Sequence, residues 1–214
     1  MELPIEKKLK KQVHLETAIL QDIIMEKLVY SLDLVLHGGT SIWRVYKGNR
    51  FSEDLDFYME KWEPDKIKET LKELEIFEMK LKKFKKTKNT VFSVIEKNNV
   101  IVKVEASKKH WKFKEMLGEY EKTNGSYLPI STLSAEDLFK EKTKTYLNRR
   151  LIRDIYDIYF LFHQCDFKKI EKTGKEFIKN IPFPKDEDVL KSLILTGKVP
   201  TFNEIKLKLL NWFK

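Results

Sequence analysis

The sequence predicts an α+β chain, with strands and helices mixed over residues 1–130 and helices alone over residues 131–214. Three observations carry this reading. Alternating or β-rich runs stand at residues 51–59, 91–95 and 100–106. A short apolar run at 34–37 ends on the pair Gly38-Gly39 and opens into a helix. Beyond about residue 131 only helical spacing remains. With 214 residues, 42% of them hydrophobic, the chain can bury a sizeable core in one or two domains. Residues 1–130 and 131–214 are read as two.

The elements follow in order. Leu15, Ile19, Ile23 and residues 25–28 recur at helical spacing, so residues 5–29 are read as helix. Leu34-Val35-Leu36-His37 reads as a buried strand. Thr40-Ser41 then starts a short helix, with hydroxyl residues at its N-terminus. After the turn Lys47-Gly48-Asn49, residues 51–59 alternate, Asp54 and Asp56 on one face, Leu55 and Phe57 on the other. Pro64 opens a helix to about residue 74. Residues 91–95 and 100–106 flank Glu96-Lys97-Asn98-Asn99 and predict a hairpin, with Val100, Val102 and Val104 opposite Ile101, Lys103 and Glu105. Ser134-Ala135-Glu136-Asp137 predicts a capping box ahead of a helix, a second helix covers 151–163, and weaker patterns stand at 166–179 and 202–213. Residues 181–184, Ile-Pro-Phe-Pro, form a rigid connector.

Charge and cysteine count exclude several classes. The net charge is +9, but residues 80–114 hold twelve lysines and two acids, so the rest of the chain is close to neutral. A single cysteine, Cys165, excludes a disulfide framework within the chain and any multi-cysteine metal site. The four histidines are scattered, with no pair at metal-ligand spacing on a helix. No apolar stretch approaches the roughly 20 residues of a membrane span, and the N-terminus lacks a secretory signal's apolar core. The expectation is a cytoplasmic protein without membrane contact.

The chemistry concentrates in Gly38-Gly39-Thr40-Ser41 followed by Arg50-Phe51-Ser52-Glu53-Asp54-Leu55-Asp56. A glycine pair between strand and helix lets backbone amides approach an anion, and the helix N-terminus adds partial positive charge. Carboxylates at i and i+2 on a strand point the same way, about 6–7 Å apart. Such a pair suits Mg²⁺, which shares oxygen ligands with substrate phosphates. A phosphate cradle beside paired carboxylates is the equipment of two-metal nucleotidyl transfer. Each half alone is an ordinary turn or strand face, but here both fall within 19 residues.

Other positions have two readings. Glu105 is either a third metal ligand or a surface acid paired with Lys103 or Lys108. Lys142 sits in the apolar stripe of its helix, where it either snorkels outward or holds a triphosphate. Arg150 with Asp154 and Arg153 with Asp157 stand at i,i+4 and read as surface ion pairs, yet their helix is otherwise so apolar that functional acids are equally in view.

Together, residues 36–41 (LHGGTS), 50–57 (RFSEDLDF), 136–142 (EDLFKEK) and 153–157 (RDIYD) resemble the AbiEii-type nucleotidyltransferase toxins of the DNA polymerase beta-like superfamily. The resemblance spans about residues 30–162. It implies a nucleotidyltransferase domain over 1–130, built on a small mixed sheet flanked by helices, and a C-terminal helical domain closing a cleft over the nucleotide. It implies that Gly39, Thr40 and Ser41, with Gly38, Arg50 and Ser52 beside them, bind the NTP. Asp54 and Asp56 would hold Mg²⁺ or Mn²⁺, Lys142 would meet phosphate, and Asp154 would lie near the reacting centre. It also implies a toxin role beside an antitoxin, with tRNA as a typical acceptor in related enzymes. Glu105 stands where the superfamily often has Asp.

The expected activity is NMP transfer from an NTP to an RNA 3′ end, tRNA first among acceptors. Transfer to a protein or small-molecule hydroxyl, or a non-catalytic nucleotide- or RNA-binding module, are the alternatives. The basic segment 80–114 is the expected RNA contact, because residues 80–88 (KLKKFKKTK) and 108–114 (KKHWKFK) mix lysines with aromatics.

Overall fold

The computed structural model describes residues 3–109 and 112–214. The single helix expected over 5–29 is two: α1 (Ile5–Lys8) and α2 (Gln12–Ser31), separated by extended backbone at Leu9 and Lys11. Ile5 turns inward against Trp43 and Phe51, and the Glu6 amide donates to the Thr123 carbonyl, so the first turn is anchored apart from α2. Strand β1 (Val35–His37) follows, then α3 (Gly38–Arg44), β2 (Leu55–Met59) and α4 (Pro64–Lys72).

Three strands come next: β3 (Lys80–Lys86), β4 (Thr90–Lys97) and β5 (Val100–Lys108). β4 and β5 form the expected hairpin. β3 lies in the lysine run, where no strand was expected, and it forms one edge of the sheet. Lysines suit an edge, because they discourage pairing with another chain. β6 (Glu115–Glu121) and β7 (Tyr127–Leu133), also unforeseen, close the other side. Pro129 in β7 lies beyond the stretch that pairs with β1, so its missing N–H leaves no gap there.

The seven strands run β3-β4-β5-β2-β1-β7-β6. β1 pairs with β7 and β2 with β5 in parallel, and the other neighbours are antiparallel, so the sheet is mixed. The expected division between residues 130 and 131 falls inside β7. The helical part is α5 (Ala135–Arg149), α6 (Ile152–Phe162), α7 (Phe167–Ile178), α8 (Leu190–Leu193) and α9 (Phe202–Phe213). The Ser134 hydroxyl caps α5 by accepting from the Asp137 amide, while the full reciprocal capping box is at Thr201 and Glu204. No helix among the described residues is long and apolar enough to cross a membrane.

The two faces of the sheet are covered unequally. Leu55, Phe57, Val91, Ile95, Val102, Val104 and Ala106 are buried beneath α2 and α4. On the other face, Val35, Tyr58 and Leu133 pack against α5 and α6. That helical cover ends at β2. Along β5 the same face carries exposed Ile101, Lys103 and Glu105.

Candidate active site

The site sits where the covered and open halves of the sheet meet. Antiparallel pairing sets His37 opposite Asp56, and parallel pairing sets Asp56 opposite Glu105, so the three stand in one row across β1, β2 and β5. Asp54 stands two residues before Asp56, immediately ahead of β2, with Lys103 at 3.6 Å. The sheet thus brings together all three carboxylates that the sequence singled out.

The glycines are required by close approach. Gly38 has φ +71°, and a Cβ there would stand 2.5 Å from Asp56 Oδ2. A Cβ on Gly39 would stand 2.6 Å from both Arg50 Nη2 and Ser52 Oγ. The strand and the loop before it therefore fold back over the turn, which explains why the two motifs occur so near each other.

Several residues expected to touch nucleotide instead hold the turn. The Thr40 hydroxyl donates to the Asp54 carbonyl at 2.5 Å. The Ser41 hydroxyl lies 2.7 Å from that of Thr132, which donates to the Leu36 carbonyl. Both side chains are fully buried, so the backbone of the turn is what remains for an anion. Arg50 is likewise occupied: its guanidinium grips Asp157 with two bonds of 2.5 and 2.6 Å and donates to the Phe51 carbonyl.

Lys142 does not snorkel. It is 4% exposed and lies 3.2 Å from Asp154 and 2.9 Å from Asp157. Arg149 holds Asp154 with bonds of 2.7 and 2.8 Å. The result is one chain, Arg50–Asp157–Lys142–Asp154–Arg149, buried from Arg50 to Asp154 and exposed at its Arg149 end, joining the loop before β2 to α5 and α6. The surface i,i+4 pairs read from the sequence give way to it. Arg150 is exposed in left-handed backbone just past α5, while Asp154 and Asp157 turn inward toward that helix.

A second trio was missed entirely. His37 Nδ1 lies 3.1 Å from Glu141, Tyr58 donates to the same carboxylate at 3.2 Å, and the His37 and Tyr58 rings stack at 3.9 Å. His37 directly precedes the glycine pair and Glu141 directly precedes Lys142, so both lay in the motifs. Only tertiary pairing shows that they meet.

Burial pushes the Asp56 carboxyl up, with Asp54 and Glu141 adding to the rise and His37 and Lys142 opposing it. Glu105 is raised by burial and then by Asp56 and Asp54. Burial also disfavours the His37 cation, but Glu141 and Asp56 outweigh it and the His37 pKa rises. The Glu141 carboxyl is lowered despite its burial, because His37 and Lys142 favour its charge.

Among the described residues no hydrogen bond or ion pair reaches the Asp56 carboxylate. No three His, Cys, Asp or Glu side chains among them form a ready metal cluster. The donor set therefore fits Mg²⁺ held by Asp54 and Asp56, with water or substrate phosphate completing the shell. Glu105 stands beside that pair without closing a three-ligand cage.

The fold matches known structures over nearly its whole length. MenT4, a nucleotidyltransferase toxin from Mycobacterium tuberculosis H37Rv, superposes with TM-score 0.63 at 17% identity, covering 96% of this chain and 85% of its own. JHP933 from Helicobacter pylori gives TM-score 0.61 at 20% identity, covering 92% and 90%. The fold is thus of the nucleotidyltransferase class. A search of curated proteins finds no match. Residues 19–188 match the family described as "Nucleotidyl transferase AbiEii toxin, Type IV TA system". The chain belongs to that family of nucleotidyltransferase toxins, which implies an NTP substrate and an antitoxin partner.

Proposed function

We propose that this chain moves an NMP from an NTP to the 3′ hydroxyl of an RNA, tRNA first, in the cytoplasm and under control of its cognate antitoxin. The observation that supports this most is the Asp56 carboxylate, which no hydrogen bond or ion pair from the described residues engages, beside a glycine turn too tight for any side chain. Asp54 and Asp56 would hold Mg²⁺ or Mn²⁺, which supplies charge for the triphosphate and the developing transition state.

The chain's own residues do the rest. The backbone at Gly38 and Gly39 receives phosphate, with Thr40, Ser41, Arg50 and Ser52 keeping the turn in place. Lys142 adds positive charge near Asp56, and Asp154 positions Lys142 and Arg149. The acceptor 3′ oxygen attacks the α-phosphorus, its proton passes to Glu105, and the bond to the leaving pyrophosphate breaks. Purified protein with Mg²⁺, α-labelled NTP and total tRNA should label the RNA, and Asp56→Ala should abolish labelling. Label appearing on protein or a small molecule, with none on RNA, would overturn the acceptor assignment.

A further inference from the structure

The lysine run has an organisation that its composition hides. In strand geometry successive side chains alternate faces, so the basic residues of β3 divide. Lys86 lies on the helix-covered side, where its Nζ is 2.7 Å from Asp65 at the start of α4. Lys82 falls in a register irregularity between Leu81 and Lys83 and is 3.4 Å from Glu96. Lys83 and Lys85 are exposed on the other face. Among the described residues Lys85 has no hydrogen-bond or ion-pair partner, and Lys83 lies 5.3 Å over the Phe92 ring.

That face is the one bearing the carboxylates. The register runs Lys85 opposite Phe92, Phe92 opposite Glu105, and Glu105 opposite Asp56. Four strands thus place a cation, a partly exposed aromatic ring, and two carboxylates in a single row. A second row, Lys83–Val94–Lys103, lies beside it and ends at Asp54 through the Lys103 contact. At about 4.8 Å per strand, Phe92 stands roughly 10 Å from Asp56 and Lys85 roughly 14 Å away. Along this path Lys83, Lys85, Lys103 and Glu105 are exposed and Phe92 is half-buried, so among the described residues it is open from sheet edge to carboxylates.

We propose that the open face of β3, β4 and β5 seats the single-stranded end of a nucleic-acid acceptor, with one base stacked on Phe92 and its phosphates on Lys83 and Lys85. Charge complementarity selects a polyanion. A flat aromatic between cations, on a row leading to the site of chemistry, selects a strand with unpaired bases over a lipid surface or an acidic protein. Lysine contacts the backbone without reading sequence, so Phe92 favours a stackable base and not a particular one. This seat rests on the nucleotidyl-transfer reading only for its direction toward Asp56. Its binding is measurable without any chemistry.

The test is fluorescence anisotropy of a labelled 12-nucleotide single-stranded RNA with the full chain, in EDTA and without NTP. Phe92→Leu should weaken binding about ten-fold or more. The double change Lys83→Ala and Lys85→Ala should weaken it and reduce the slope of log K against log salt by about 1.4. Lys86→Ala, on the opposite face, should bind as wild type, and a blunt duplex of the same sequence should bind less tightly than the single strand. No binding by the wild type, unchanged binding by Phe92→Leu, or an equal loss in Lys86→Ala would overturn the seat. Binding with all expected losses but no label transfer from NTP would uphold the seat and sink the transfer reading instead. Unaltered melting temperatures of the variants keep these outcomes separate from folding defects.

Discussion

Arg50 and Asp157, 107 residues apart, meet in a two-pronged ion pair of 2.5 and 2.6 Å in which both side chains are at most 3% exposed. The pair ties the loop that leads into β2, and so the position of Asp54 and Asp56, to helix α6. Asp157 also holds Lys142 at 2.9 Å, so one carboxylate sets both the strand entry and the lysine.

Breaking this pair strands a buried charge. Asp157→Ala should cost about 3–5 kcal/mol of stability, since two cations lose their counter-ion in a dry setting. For a chain of this size that is on the order of 10 °C in melting temperature. Arg50→Lys should recover little of the loss of Arg50→Ala, because an ammonium cannot reproduce the fork. Thermal melts of the three variants check this.

Acid should loosen the same network. Burial opposes ionisation of Asp154, but Arg149 and Lys142 outweigh it and its pKa lies below the usual 3.8. A carboxyl with a lowered folded-state pKa contributes stability fully above its unfolded value, and that contribution disappears as pH falls through the folded one. Wild-type stability should therefore drop below about pH 4, while Asp154→Asn, already weaker at pH 7, should lose less over the same range. Urea midpoints measured from pH 7 to pH 3 test the difference.

Gly38→Ala should damage the site more than the fold. The substitution meets both a left-handed φ of +71° and Asp56 Oδ2 at 2.5 Å, so Asp56 must shift or the turn must. We expect transfer to fall at least a hundred-fold, with a stability loss of about 1–3 kcal/mol. Equal turnover by Gly38→Ala and wild type would contradict the close approach.

The carboxylate pair should make stability depend on divalent ions. A ligand that binds only the folded state stabilises by RT ln(1 + [L]/Kd), so Mg²⁺ at a hundred times its Kd should add about 2.7 kcal/mol. Wild type should melt higher with Mg²⁺ than with EDTA, and Asp56→Asn should show no such difference. A rise of the same size in both would place the ion elsewhere.

The local parts of this site were readable from residues alone. A glycine pair between strand and helix, and a strand carrying Asp56 with Asp54 just ahead of it, depend on backbone period and on which residues tolerate a tight turn. So does the β4–β5 hairpin. The lysine-rich β3 was not readable, because an edge strand tolerates residues of low strand preference and its side-chain pattern shows no alternation. Arg50, Thr40 and Ser41 looked like ligand groups because polar residues beside a glycine turn can serve either a ligand or the turn itself.

What the sequence determined by itself is therefore the chemistry-bearing turn, the paired carboxylates and the family. Tertiary structure decided the rest: that Glu105 stands beside Asp56, that Lys142 is held by Asp154 and Asp157, and that His37 meets Glu141. It also decided that only Lys83 and Lys85, of the four clustered lysines from 82 to 86, face the site. The physical reason is range. Turn and strand preferences act over a few residues, whereas register across a sheet and ion pairing between residues 107 apart exist only once the chain has closed on itself.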